Sequence, residues 1–116
     1  MKFLQRKVHK IDVPGEDEDV YVREITLKEQ QEISSMHTKA EKIKDTDAQT
    51  LAVAKCSAYL LALSLCNESG ELYFTDADAG AEELLDTPAP MFALLTDNVL
   101  EANGMAAPKE EEDVKN

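Results

Sequence analysis

Apolar and polar positions follow each other along this chain in three rhythms, and each rhythm predicts a different kind of element. Near the start the period is two. Val20 and Val22 alternate with Tyr21 and Arg23, and residues 7–13 hold further β-branched side chains, so both stretches read as strands. Pro14-Gly15 and the acids behind it punctuate the interval, which predicts a hairpin. Val8 falls on the opposite face from Ile11 and Val13, which leaves the register of the first strand open. The period then lengthens. Thr26 and Glu29 form a capping box, and Ile33, Met36, Ala40 and Ile43 recur behind it at helical spacing, with Glu, Gln, Ser, Lys and His on the other side. That pattern predicts a surface helix with a single apolar stripe.

From residue 51 to residue 66 the period disappears, because only Lys55, Ser57 and Ser64 are polar. A helix of that composition must be buried nearly all round, so the rest of the domain is expected to wrap it. Residues 44–47 separate it from the helix before. Asn67, Glu68, Ser69 and Gly70 supply turn chemistry, with Gly70 free to adopt positive φ. Leu72, Tyr73 and Phe74 return as a short extended anchor, and Thr75 with Asp78 reads as a capping box for a short helix over residues 76–86. Gly80 is expected to weaken that helix by about 1 kcal/mol relative to alanine. Thr87 reads as the cap of a last helix with Pro88 at its first position, and Asn103-Gly104 as its end. Met91, Phe92, Leu95, Val99 and Ala102 line one side of it, and Leu94 and Leu100 lie off that stripe.

The expected fold class is therefore α+β and mainly helical, an N-terminal β-hairpin followed by about four helices packed round a buried central helix. Residues 1–104 read as one globular domain. Residues 105–116 hold few apolar groups and a block of acid, so they read as a disordered tail.

Composition narrows the function classes. The formal charge is −12 over 116 residues, which repels phosphate backbones and anionic lipid and argues against nucleic acid or a membrane surface as partner. The apolar run of residues 51–66 is shorter than the roughly 20 residues a spanning helix needs, and Lys55 would lie in hydrocarbon. The start, MKFLQRKVHK, is basic but lacks the apolar region of a signal peptide, so the protein reads as cytoplasmic. Cys56 and Cys66 would stand about 15 Å apart along one helix, beyond the roughly 7 Å that a disulfide spans. They read as buried thiols. Acid collects in Glu16 to Asp19, around Glu82, Glu83 and Asp86, and in Glu110 to Asp113, whereas Lys2, Arg6, Lys7 and Lys10 make the start basic. Solvated charge accounts for these runs, and weak head-to-tail self-association is the alternative.

Candidate chemistry is sparse. The chain has no GxSxG, Walker loop, HExxH or Cys/His cluster. Asp76-Ala-Asp78-Ala-Gly80 begins like a calcium loop, but its sixth position is Ala81 and its twelfth is Thr87 where a bidentate Glu is needed. His9 and His37 show no carboxylate or second His at a useful spacing and read as solvated or structural. No catalytic, metal or cofactor residue is assigned, and an enzyme is not expected.

The order of elements resembles the tail assembly chaperones of long-tailed bacteriophages. The resemblance rests on the hairpin ending in VYVREITLKEQQE, the helix AYLLALSLCNESGELYF, the TDAD cap, a short acidic helix, a last helix ending NGM and an acidic end closing in VKN. Its most specific part is residues 61–78, where LALSLC runs through a glycine turn into LYFTD; the long acidic loop at Glu16 to Asp19 has no counterpart in that pattern. The resemblance implies a non-enzymatic protein of the host cell cytoplasm, absent from the mature virion, that binds and solubilises the tape measure protein. It further implies aid in recruiting tail tube subunits through a C-terminally extended form made by programmed frameshift, for which Lys115-Asn116 is a compatible end. An apolar groove beside the last helix, with Leu94 and Leu100 at its centre and Met91, Leu95 and Val99 next to them, is the candidate partner surface. Two rival classes stay open: a small structural virion protein, such as a tail completion or connector subunit, and an acidic DNA mimic.

Overall fold

The computed structural model describes residues 4–105; the acidic tail expected over residues 105–116 lies outside them apart from Met105. Strands β1 (Val8–Ile11) and β2 (Val20–Arg23) form the expected hairpin. Four helices follow: α1 (Leu27–Glu41), α2 (Thr46–Ser64), α3 (Ala77–Leu84) and α4 (Ala89–Ala102). The fold is α+β and mainly helical.

The register left open by the sequence pairs Val8 with Arg23, His9 with Val22 and Ile11 with Val20. Directly opposed residues share a face of the sheet, so Ile11, Val20 and Val22 line the inner face and Val8 the outer. Ile11 and Val22 are buried in the core. Sequence reading misses a third strand. Residues 65 and 66 do not continue α2 but form β3 (Leu65–Cys66), which pairs antiparallel with β2 through Tyr21 and Val22. The helix ends because the Leu65 backbone turns extended, at ψ 126°, and β2 then supplies the hydrogen bonds a further helical turn would have made. Arg23 of β2 donates its Nε to the carbonyl of Leu63 at 3.2 Å. A strand thus provides the cation that α2 lacks in its own last turn, where the helix dipole favours positive charge.

Caps decide the other boundaries. Thr26 and Glu29 form the expected capping box on α1. The helix stops at Glu41, one residue pair short of Ile43, and Asp45 caps α2 by accepting from the Ala48 N–H. At α3 the cap is Asp76 and not Thr75: its carboxylate accepts from the N–H groups of Asp78 and Ala79. At α4, Thr87 does not cap, and its N–H is bonded to the Leu84 carbonyl at the end of α3. Pro88 takes the capping position without a side-chain bond, and Pro90 falls in the first helical turn. The end of α4 is as expected. Gly104 has φ +70°, and the N–H groups of Gly104 and Met105 reach back to the carbonyls of Glu101 and Leu100, which is the Schellman arrangement.

Around α2 the packing is uneven. Leu60 through Cys66 are all buried, enclosed by the sheet, α3 and α4 with Leu61 and Val99 fully covered. Ser64 is buried with them and donates its hydroxyl to the Leu60 carbonyl at 2.8 Å. From Thr46 to Lys55 no residue is buried, and Leu51 is 56% exposed. The expectation of burial all round therefore holds for one end of this helix only.

Candidate partner-binding surfaces

Among the described residues, no group of three or more His, Cys, Asp or Glu side chains is placed to hold a metal ion. No helix among them is long and apolar enough to cross a membrane. Cys56 and Cys66 are both free and buried, and burial raises both thiols above their ordinary value.

The residues of the expected surface on α4 have different surroundings. Leu95 and Val99 are buried members of the core, and Met91 and Leu100 pack against it half-buried. Leu94 is half-buried outside that cluster. Six positions separate Leu94 from Leu100, which at roughly 100° per residue sets them about 120° apart round the helix. They stand on different flanks of α4.

Two apolar grooves lie instead on either side of the exposed half of α2. One, of about 210 Å³, runs between α2 and α4 and is lined by Ala54, Leu85, Thr87, Ala89, Phe92 and Ala93. The other, of about 290 Å³, runs between α1 and α2, with Met36, Ala40, Ile43, Ala52 and Cys56 along its floor. Lys39 and Lys55 rim it. Leu51 emerges on the same half of α2, and Ile43 beside it is 36% exposed. Spacing alone could have signalled the second groove: Met36, Ala40 and Ile43 form a stripe that needs a partner along its whole length, and α2 occupies only part of it.

Polar groups hold the sheet side of the molecule. His9 Nε2 lies 3.0 Å from Glu24 Oε2, and that hydrogen bond, with the Lys7 N–H bonded to the same carboxylate, holds Glu24 below its ordinary carboxylate value against the opposing effect of burial. Sequence reading found no carboxylate for His9, because the partner lies across the hairpin. It also passed over Glu41, which stands four positions from His37 with 3.5 Å between Nδ1 and Oε2. Arg6 pairs with Glu29 at 3.1 Å and so ties the start of the chain to the first turn of α1, while its Nη1 is enclosed without a hydrogen-bond partner among the described residues. Asn103, read only as a helix stop, also joins the two halves of the fold: its Oδ1 accepts from the Ile25 N–H at 2.9 Å and its Nδ2 donates to the Val99 carbonyl at 2.8 Å.

Comparison with protein-family models, with curated proteins and with solved structures finds no match to this chain.

Proposed function

We propose that this chain is a non-enzymatic tail assembly chaperone of a long-tailed phage, acting in the host cytoplasm to keep the tape measure protein soluble and leaving before the virion is complete. The observation that carries this reading is the apolar surface on both flanks of the exposed half of α2, in a chain of net charge −12. Grooves of this kind receive an amphipathic helix whose apolar stripe has no other cover. A long helical protein waiting for its tube presents such stripes, and the negative charge of the chaperone keeps the complex dispersed. The order of elements and the segments LALSLC and LYFTD support the same reading by resemblance.

Co-expression tests it. The tape measure protein of the same phage should move from the insoluble to the soluble fraction and copurify with the chain. Failure to bind any tape measure segment, or a near-stoichiometric amount of the chain in purified particles by mass spectrometry, would overturn the chaperone in favour of a structural subunit. Recruitment of the tail tube protein belongs to an extended form, and copurification of tube subunits with that form alone is the expected result.

A further inference from the structure

The two grooves differ in one respect. Charged side chains are missing from the lining of the α2–α4 groove, whereas the α1–α2 groove is rimmed on both sides by lysine, in a protein with twice as many acidic as basic residues (24 against 12). Lys39 stands on the groove side of α1 and takes part in none of the ion pairs among the described residues. Lys55, on the other rim, shows what it accepts: its Nζ lies 2.6 Å from Glu82 Oε2 of α3. That helix is short, buries Ala81 and Leu84, and carries Asp78, Glu82 and Glu83 on its exposed sides. It is an acid-flanked amphipathic helix laid against α2, already present within the chain.

We propose that the α1–α2 groove binds a second helix of the same chemistry: a partner segment whose apolar stripe, spaced i, i+3, i+4 and i+7, seats on Met36, Ile43 and Ala52 and whose flanking carboxylates reach Lys39, the rim lysine that no ion pair among the described residues engages. The identity of the natural partner rests on the chaperone proposal, whereas the groove and its choice of acidic flanks do not. Among helices of equal hydrophobicity, charge at the rim sets the preference, because rim charges discriminate between partners more than they add affinity.

The test uses two synthetic helical peptides with one apolar stripe, flanked by Glu in one and by Lys in the other, titrated into the ¹⁵N-labelled full chain. Amides of residues 36–56 should shift with the Glu-flanked peptide, and it should bind about five-fold more tightly than the Lys-flanked one, as expected of an exposed ion pair. Lys39→Glu should reverse that order while leaving the rest of the spectrum in place. Equal affinity for both peptides, shifts centred on Phe92 and Ala93, or an unchanged preference in Lys39→Glu would overturn the assignment. Solubilisation of the tape measure protein that persists undiminished in Lys39→Glu and Ile43→Glu would remove this groove while leaving the chaperone standing; loss of wild-type solubilisation alone would do the reverse.

Discussion

Two apolar stretches in and just after α2 have opposite fates. Leu60 to Cys66 is enclosed on every side, whereas Thr46 to Lys55 has no buried residue, although Leu51, Ala52, Val53 and Ala54 are as apolar as the residues that follow. What differs is the neighbourhood. At the enclosed end β2 and β3 close the sheet over the helix, and α3 and α4 complete the wall. The open end is covered in part only: by α1 through Ala40 and the half-buried Met36, by α3 through the Lys55–Glu82 ion pair, and by α4 beside Ala54. Hydrophobic character thus marks a surface that requires cover without stating whether the chain itself or a partner supplies it.

Leu61→Ala is the strongest test of this contrast. The side chain is fully buried, so its truncation should cost about 2–5 kcal/mol in urea denaturation, out of the roughly 5–15 that a domain has. A loss near zero would mean that the enclosed end is as open as the other. Gly80→Ala should come next, in a direction that helix propensity does not foresee. A Cβ at Gly80 would lie 2.6 Å from the Phe74 ring and 2.7 Å from its Cβ, so the gain of about 1 kcal/mol in propensity meets an overpacking cost of about 1–3. A lower thermal midpoint is expected; a rise would show that Phe74 moves aside freely.

Asn103→Ala should cost about 0.5–2 kcal/mol, since it removes the acceptor of the Ile25 N–H and the joint between β2 and α4. Acid should weaken the same sheet side. Glu24 has a lower pKa folded than unfolded, so its contribution is fully present above the ordinary glutamate value of about 4.3 and is lost as pH falls through the folded value. The stability gap between wild type and Glu24→Gln should therefore be wider at neutral pH than at about pH 3, measured by denaturation at both. A gap independent of pH would remove the His9–Glu24 contact from the account. Smallest of all is Leu51→Ala, whose change should stay within about 0.5 kcal/mol. Paired with loss of partner binding, that result would separate the exposed end of α2 from the core by function as well as by stability.

Much of the fold was legible because its signals are local. The alternation Val20–Tyr21–Val22, the Thr26–Glu29 box and the Asn103-Gly104 stop each depend on residues within one turn or strand, and each recurs in the structure. The errors have the opposite character. The cap at Asp76 in place of Thr75 and the displaced start of α4 are shifts of one or two residues, and at α3 the Asp76 carboxylate is the group that accepts from the free N–H groups of the first turn. On α4, Leu94 and Leu100 are near in sequence, yet the helix turns them to different sides.

Periodicity, capping and turn chemistry in the sequence determined that this chain forms a hairpin, an amphipathic helix, an apolar helix and two further helices in that order, because those preferences act between residues a few positions apart. Only the tertiary structure decided that Leu65 and Cys66 leave α2 to become a third strand, that Glu24 answers His9, and that Asn103 holds Ile25, since each depends on hydrogen-bond partners brought together from distant positions. It also decided which half of α2 stays uncovered. Burial is set by the placement of the neighbouring elements, and they leave Leu51 56% exposed.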